Sequence, residues 1–315
     1  ITTAVLEKNT KMTIPSSFLQ VGNTPLIKLN LPKTEKCASV WIKVESGNPT
    51  GSFKDRMAIS VIGNALARGD LSTSQTVIEY TGGSTGSALA FASASAGIKF
   101  LAVFSDAFSE VKRRTMEAMG AEVLTVPSHG KGITPELIQE MKLLCAEKVN
   151  ELNGFYADQF GSKDVTLGYK PMGIEIADQI GGEVDLLCAS VGTGGALMGT
   201  LYGLNESGLS PKTVALEPLQ SPLLTRGKGG SHKVEGIGVG FYPPFLDKQK
   251  IDEFLAIDQV EAFEMKNLLA SQHGIFCGTS TGLNVVGAIQ LAKQMSPDEN
   301  VVTLGCDSGL KYLDQ

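Results

Sequence analysis

Lys54 occupies a position in this sequence that could support covalent chemistry. It lies in ESGNPTGSFKDRMA (45–58), where Asn48, Pro49 and Gly51 separate a strand-like run from a helical pattern. The positive end of a helix dipole disfavours a protonated amine, so we expect the start of this helix to lower the pKa of Lys54. Such an amine can form an imine with a carbonyl group, whereas most single lysines are simply solvated surface residues.

Two glycine-rich turns offer candidate sites for anions. GTGG (192–195) and TGGSTG (81–86) each follow an apolar run and precede a helical pattern. Glycines leave the N–H groups at a helix start unobstructed, which suits a phosphate, although glycines after a strand are as often simple turn residues. TGGSTG adds the hydroxyls of Thr81, Ser84 and Thr85 and suits a carboxylate equally well.

The elements that must position these residues alternate regularly. Apolar runs typical of buried strands are separated by helical patterns. They occupy residues 40–45, 76–80, 99–104, 121–126, 184–191, 212–217 and 300–305. This alternation predicts an α/β fold with a mostly parallel sheet covered on both faces, whose ligands bind at the carboxyl ends of the strands. The irregular stretch 217–247 is too long for an ordinary connection and is expected to be a functional loop.

Composition restricts the function classes. The chain has 315 residues, is 42% hydrophobic and carries a formal net charge of −6. It can bury a large core, in one large α/β domain or in two coupled ones. The sequence contains no basic stripe with interleaved aromatic residues, which argues against a nucleic-acid partner. With three histidines and no C-x-x-C pair, no metal site is expected.

The N-terminal segment bears on localisation. Residues 1–12 lack the basic flank and apolar run of a signal peptide, and no stretch approaches the roughly 20 apolar residues of a membrane-spanning helix. A cytoplasmic enzyme with no membrane partner is therefore expected, and import into an organelle before processing stays open.

Four motifs in a fixed order carry a resemblance to a known family. They are VGNTPLIKLN (21–30), NPTGSFKDR (48–56), TGGSTGSALA (81–90) and VGTGGALMG (191–199). In this order they resemble the cysteine synthase and cystathionine β-synthase family, whose members are fold-type II pyridoxal-phosphate (PLP) enzymes. The likeness continues through 217–247, 261–282 and 306–313, so it covers nearly the whole chain.

The resemblance implies a specific architecture. It predicts the tryptophan-synthase-β-like fold, with two three-layer α/β domains built on mostly parallel sheets. The smaller domain is expected at 48–162 and the larger domain at 12–47 and 163–315, with the cofactor pyridoxal 5′-phosphate in the cleft between them. A homodimer is the expected assembly.

The resemblance also assigns roles to the residues that match the family motifs. Lys54 matches the lysine that holds the cofactor as a Schiff base and acts as the catalytic base. The other cofactor-binding positions are Ser84, Gly192, Thr193, Gly194, Gly195 and Ser308, the last of these at the pyridine nitrogen. The substrate-binding positions are Thr81, Gly82, Gly83, Ser84, Thr85, Gln159 and Gly236.

Three departures from the family pattern bear on these assignments. Gly82 and Ser84 stand where cysteine synthases usually have serine and asparagine, which changes two side-chain contacts near the substrate. Ala196 stands where the phosphate loop usually has threonine. The CDSG motif fits the cysteine synthase pattern with Asp307 at the pyridine nitrogen, or the cystathionine β-synthase pattern with Ser308 there. We expect Ser308.

The activity that the resemblance implies is a β-replacement. An activated serine such as O-acetylserine would lose its β-substituent to form an aminoacrylate intermediate, and sulfide would add to give cysteine, with the cofactor as electron sink. Homocysteine or ammonia could replace sulfide as the nucleophile, and a serine or threonine dehydratase would release the intermediate instead. A catalytically silent relative that serves as a binding partner is a further alternative.

Overall fold

The structure, a computed structural model, describes residues 14–31 and 36–313. The segment 1–12, in which no signal peptide is expected, lies outside the described residues, and so do residues 13, 32–35 and 314–315 of the expected larger domain. In the part of the chain that the structure describes, no helix combines the length and the apolar character needed to cross a membrane.

Ten β-strands form within the described residues. In chain order they are β1 (Leu26–Lys28), β2 (Ser39–Val44), β3 (Thr76–Tyr80), β4 (Lys99–Ser105), β5 (Glu122–Val126), β6 (Phe155–Tyr156), β7 (Leu186–Ser190), β8 (Lys212–Pro218), β9 (Glu253–Ile257) and β10 (Asn300–Gly305). Each of the seven predicted runs overlaps one of these strands, with bounds that agree within two residues. The sequence analysis did not predict β1, β6 and β9; β1 and β6 are very short, and β9 is only partly buried.

Nine α-helices form within the same ranges. They are α1 (Lys54–Arg68), α2 (Ser84–Ser95), α3 (Glu110–Ala118), α4 (Pro135–Glu151), α5 (Asp164–Ile180), α6 (Gly195–Glu206), α7 (Leu223–Arg226), α8 (Gln259–His273) and α9 (Thr279–Ala292). Helix α4 begins at a side-chain cap: the Thr134 hydroxyl oxygen accepts a hydrogen bond from the N–H of Leu137, and proline occupies the first turn. Helix α1 ends at Gly69, whose φ of 79° favours glycine.

The strands form two sheets. The larger sheet has the order β1-β2-β10-β7-β8-β9, and the smaller sheet has the order β5-β4-β3-β6. All pairs are parallel except β1 with β2. The strands are mostly buried, as expected when helices cover both faces of a parallel sheet. The structure thus confirms the predicted α/β fold with mostly parallel sheets.

Strand order explains why distant motifs meet. In the larger sheet β10 lies between β2 and β7, so the segments that follow these three strands share one edge. Those segments contain the loop before Lys54, the turn 192–195 and the CDSG motif. In the smaller sheet β3 lies beside β6, which brings the turn 81–86 close to Gln159. Each sheet therefore carries one set of candidate site residues at the carboxyl ends of its strands.

A buried group of charged residues anchors helix α1. The Arg56 guanidinium pairs with Glu45 at 2.7 Å and with Glu175 on α5 at 2.7 Å. Lys43 on β2 pairs with the same Glu175 carboxylate at 2.8 Å. Hydrogen-bonded pairs of this kind fix geometry because the removal of one partner would leave a buried charge unpaired. They hold the first turn of α1, and hence Lys54, against the larger sheet.

Candidate active site

Lys54 is the first residue of α1 and directly follows the loop 48–53. Its amine lies 5.3 Å from the centroid of the Phe53 ring. Burial lowers the pKa of Lys54, and the nearby Cys306 and Asp307 offset this effect only in part. The position at a helix N-terminus acts in the same direction as burial. More of the Lys54 amine is therefore neutral than in a solvated lysine, as imine formation or proton abstraction requires.

Two backbone hydrogen bonds tie the loop before Lys54 to the segment after β10. The N–H of Phe53 donates to the carbonyl of Cys306 at 3.0 Å, and the N–H of Ser308 donates to the carbonyl of Gly51 at 2.9 Å. These contacts bring Lys54 and the CDSG motif to one place, although more than half of the chain separates them.

The two candidates for the pyridine nitrogen have different environments. The hydroxyl oxygen of Ser308 accepts a hydrogen bond from Leu310 at 3.2 Å and caps the short helical turn that follows. Asp307 is buried, and one of its oxygens accepts from the Tyr312 hydroxyl at 2.6 Å. Its Oδ1 has no hydrogen-bond partner among the described residues, and burial raises the pKa of Asp307. The assignment of Ser308 to the ring nitrogen stays a prediction.

Thr81 shapes the turn between β3 and α2. Its hydroxyl oxygen accepts hydrogen bonds from the N–H groups of Gly83 and Gly86, both at 3.0 Å. These bonds satisfy two backbone donors at the helix start, where intrahelical partners are missing. The Thr81 oxygen is thus committed to the turn itself, and helix α2 begins at Ser84.

Thr85 and Gln159 meet directly. The Thr85 hydroxyl donates to the side-chain oxygen of Gln159 at 2.8 Å across a separation of 74 residues. The side-chain nitrogen of Gln159 donates to the carbonyl of Tyr80 at 3.1 Å. Both Thr85 and Gln159 are buried. Two of the residues that were predicted to bind the substrate, Thr85 and Gln159, therefore form one connected unit at the end of the smaller sheet.

Neighbouring side chains leave no room for a Cβ atom at positions 82 and 83. A Cβ on Gly82 would lie 2.7 Å from the Phe108 ring, and a Cβ on Gly83 would lie 2.2 Å from the Lys112 side chain. Gly83 also has a φ of 140°, which favours glycine. The departure from the family pattern at Gly82 is thus matched by a large side chain in the space that a serine would need.

The turn 192–195 packs closely against the loop at Gly236. A Cβ on Gly192 would lie 2.4 Å from the Gly236 carbonyl oxygen, so the two backbones touch. Gly194 has a φ of 84° and also requires glycine. Within the described residues, the N–H groups of 192–194 form no hydrogen bond. These donors precede the N-terminus of α6, where a phosphate binds favourably.

Two buried charged residues beside the site were missed by the sequence analysis. Glu79 lies in β3 and accepts a hydrogen bond from the N–H of Gln159 at 3.0 Å. Lys112 on α3 is 2% exposed and pairs with Glu235, next to Gly236. The available signal for Glu79 was an acidic residue inside an apolar strand. Lys112 lies in a segment of mixed charge and gave no such signal.

Three features of this arrangement fit pyridoxal phosphate. Lys54 supplies an amine with a lowered pKa, which suits a bond to an aldehyde carbon. The turn 192–195 supplies the unpaired N–H groups of 192–194, which suit a phosphate, while the N–H of Gly195 donates to the Thr193 hydroxyl oxygen at 3.2 Å. The CDSG motif supplies a serine hydroxyl and a buried carboxyl oxygen without a partner, which suit a ring nitrogen. All three lie on the same edge of the larger sheet.

The chain is similar to known enzymes that use this cofactor. The chain matches the family described as pyridoxal-phosphate dependent enzyme over residues 18–307. A Bacillus subtilis (strain 168) protein named probable cysteine synthase is 36% identical over 296 residues, which cover 93% of this chain and 94% of the relative. O-ureido-L-serine synthase of Streptomyces lavendulae is 32% identical over 299 residues, which cover 93% of this chain and 89% of the relative. The crystal structure of Entamoeba histolytica cysteine synthase has a TM-score of 0.87 and 30% identity, and the match covers 100% of this chain and 93% of that chain.

Fold and site together define a pyridoxal-phosphate-dependent enzyme of fold type II, as the sequence predicted. Within that class, the chain belongs to the cysteine synthase and cystathionine β-synthase family. Its cofactor is pyridoxal 5′-phosphate, which confirms the predicted cofactor. The roles of individual side chains stay predictions, now with a defined geometry.

Proposed function

We propose that this enzyme replaces the β-acetoxy group of O-acetyl-L-serine with sulfide to give L-cysteine and acetate. The observation that carries the proposal is the Lys54 amine, which burial makes easier to deprotonate at the start of α1. It shares an edge of the larger sheet with the turn 192–195. Relatives named cysteine synthase support this choice of reaction.

Four groups of this chain would hold the cofactor. The bound cofactor supplies an electron sink for the α-carbon of the amino acid. Lys54 would hold its aldehyde carbon, and the N–H groups of 192–194 would hold its phosphate. Ser308 would meet the ring nitrogen, and Ser84 at the start of α2 would lie toward the cofactor from the smaller sheet.

The smaller sheet would hold the amino-acid substrate. The turn 81–86 and the side chain of Gln159 would bind the α-carboxylate, with Thr85 already bonded to Gln159. Gly236 would border the same substrate from the larger sheet. Lys54, once displaced from the cofactor, would take the α-proton because its lowered pKa leaves a larger neutral fraction. Acetate would then leave from Cβ, hydrosulfide would add to the same carbon, and the protonated Lys54 amine would return a proton to the α-carbon.

The proposed domain division follows the two sheets. Strands β3 to β6 lie within 48–162, and the other six described strands lie within 12–47 and 163–315. We propose these segments as the smaller and larger domains, with the active site between them. A homodimer is proposed for the assembly and is checked by light scattering of the purified protein.

The experiment mixes purified holoenzyme with O-acetyl-L-serine and sulfide and measures L-cysteine. We expect Lys54→Ala to lower kcat by about 10²–10⁴-fold, the usual contribution of a general base, and to abolish covalent attachment of the cofactor. Attachment is read by borohydride reduction followed by peptide mass spectrometry. Lys99→Ala is the matched control, because Lys99 is exposed on β4. It should leave both readouts unchanged.

Three outcomes would contradict the proposal. Pyruvate release that does not respond to sulfide indicates a dehydratase. Product formation with homocysteine or ammonia at a higher kcat/KM than with sulfide indicates another nucleophile. Wild-type protein that binds no cofactor indicates a silent relative.

A further inference from the structure

Glu79 is a buried acid to which the proposed reaction assigns no role. It lies in β3, and its side chain is fully buried. One carboxyl oxygen accepts a hydrogen bond from the N–H of Gln159 at 3.0 Å, and the other accepts from the N–H of Tyr80 at 3.1 Å. Glu79 therefore holds the backbone of a residue that we place at the substrate carboxylate.

The hydrogen bond to Glu79 fixes the backbone of Gln159 at a point where the preceding residue has an unusual conformation. The preceding residue, Asp158, has a φ of 52°, which is uncommon for residues other than glycine. The Gln159 side chain then spans two elements, since it accepts from Thr85 and donates to the carbonyl of Tyr80. A displacement of the Gln159 backbone would therefore be transmitted to Thr85 and to the turn 81–86.

The surroundings of Glu79 disfavour a negative charge. The titratable groups around it are Tyr80, Tyr156, Asp158 and Cys145, and Lys142 lies beyond Tyr80 at 5.7 Å from its ring centroid. The neighbouring strand presents Ala102 opposite Glu79. Burial raises the pKa of Glu79 to about 8, against the lowering effect of the Gln159 N–H, and Asp158 raises it further. At neutral pH the Glu79 carboxyl is therefore mostly uncharged.

We propose that Glu79 is a positioning residue for the α-carboxylate of the amino-acid substrate. It fixes the backbone of Gln159 by a hydrogen bond, and in its neutral form it does not repel the substrate carboxylate. The proposal rests on the proposed function, because that function places the carboxylate at Gln159. It deepens that function by naming the group that orients the carboxylate site and makes it sensitive to pH.

The test compares two probes on the holoenzyme by calorimetry. L-alanine carries the carboxylate and has no leaving group, and L-alaninamide lacks the carboxylate. At pH 7 we expect Glu79→Gln to weaken L-alanine binding about fivefold, the effect of one net hydrogen bond, because an amide nitrogen cannot accept from a backbone N–H. L-alaninamide binding should be unchanged. Glu122→Gln, an exposed acid on β5, is the matched control and should affect neither probe.

The pH dependence provides a readout that a purely structural role would not change. Between pH 7 and pH 9.5 the wild-type carboxyl ionises, whereas the side-chain amide of the Glu79→Gln variant cannot. The affinity of wild type for L-alanine should therefore fall relative to Glu79→Gln by about tenfold. That is the size of the repulsion between two unit charges about 10 Å apart at a protein-like dielectric constant. Ionisation of the probe itself cancels in this ratio.

A second variant tests the side-chain contact of Gln159 with Thr85. Thr85→Val removes the hydroxyl that donates to the Gln159 oxygen. It should also weaken the binding of L-alanine and leave the binding of L-alaninamide unchanged. With both changes, the loss should be smaller than the product of the single losses, because both act through Gln159. In turnover, KM for O-acetyl-L-serine should rise in Glu79→Gln while kcat stays within about twofold, since only the carboxylate interaction changes.

Two results would overturn the role of Glu79. One is a Glu79→Gln enzyme that binds L-alanine as the wild type does at both pH values. The other is an equal loss for L-alanine and L-alaninamide, which would show a general structural defect. Because calorimetry needs no turnover, wild type that binds L-alanine but makes no cysteine would refute the proposed reaction while still allowing the Glu79 comparison.

Discussion

At the scale of single residues, chemical character follows from surroundings. Lys54 is an ordinary amine by type, and its lowered pKa comes from burial at a helix start. Asp307 and Ser308 are neighbours in sequence, yet one is buried with an unpaired oxygen and the other caps a helical turn. Residue identity therefore names the candidates, and their contacts decide which role each can take.

Gly82 shows how a departure from a family pattern can be compensated nearby. The position that a serine side chain would occupy is filled by the ring of Phe108. Phe108 in turn packs against Phe104 with ring centroids 5.6 Å apart, so it cannot move aside freely. Loss of the serine and gain of the ring are thus parts of one local arrangement beside the turn 81–86.

We expect Gly82→Ser to destabilise the protein, although it restores the usual family residue. Its Cβ would lie 2.7 Å from the Phe108 ring, and overpacking of this kind typically costs about 1–3 kcal/mol. Phe108→Ala removes the obstruction, so the double variant should lose less free energy of unfolding than the sum of the two single variants. Denaturant unfolding measures all three. Additive losses would show that the ring does not exclude the serine.

At the scale of elements, glycines set how closely the helices beside the site can pack. A Cβ on Gly173 of α5 would lie 2.0 Å from the carbonyl oxygen of Thr200 on α6. A Cβ on Gly203 of α6 would lie 2.1 Å from the carbonyl oxygen of Lys170 on α5. The two helix backbones are therefore in direct contact. Helix α6 begins at the turn 192–195, so this packing also sets the position of the proposed phosphate site.

We expect Gly173→Ala to destabilise the enzyme despite the better helix propensity of alanine. Propensity favours alanine by about 1 kcal/mol, whereas a Cβ in contact with backbone atoms forces the helices apart at a cost of about 1–3 kcal/mol or more. Cofactor affinity should also fall, because α6 moves. Both effects are measured by thermal unfolding and by titration of the apoenzyme with the cofactor.

The matched control is Gly63→Ala in α1. There the new Cβ would meet only the Phe18 ring, at 3.6 Å, which is an ordinary contact. This variant should be neutral or more stable by up to about 1 kcal/mol. A Gly173→Ala protein that behaves like Gly63→Ala would show that the α5 and α6 backbones can separate at little cost.

At the scale of the whole molecule, α3 connects the two sheets. The amine of Lys112 pairs with Glu235 from the loop of the larger sheet and lies 4.4 Å from the centroid of the Tyr312 ring. The Ser109 hydroxyl donates to the carbonyl of Lys311 at 3.3 Å. The aliphatic part of Lys112 also contacts the turn 81–86 at Gly83. These contacts fix the carboxylate turn relative to the segment that follows β10.

We expect the pair of Lys112 and Glu235 to behave as a coupled unit in a double-mutant cycle. Lys112→Met and Glu235→Gln should each lower the free energy of unfolding by about 1–3 kcal/mol, because each removes the charge-assisted hydrogen bond between α3 and the loop at Glu235. The double variant should lose less than the sum, with a coupling energy of about 1 kcal/mol or more. Additivity within about 0.5 kcal/mol would show that the pair does not link the two sheets.

The sequence by itself determined the family, the fold class and the cofactor. Motifs such as NPTGSFKDR and GTGG report local backbone requirements, and continuous apolar runs mark buried parallel strands wherever they are long enough. For that reason the seven predicted strands were found, whereas the short β1 and β6 and the half-buried β9 were not. The candidate site residues within motifs could likewise be named in advance.

Only the tertiary structure decided which distant residues meet. The order of strands in each sheet places Thr85 beside Gln159, Glu79 beneath Gln159, and Lys112 opposite Glu235. A local pattern encodes how a segment pairs with its immediate neighbours, but contacts over 74 or 123 residues depend on how two sheets assemble. Burial, and with it the raised pKa of Glu79 and the lowered pKa of Lys54, arises only in that assembly.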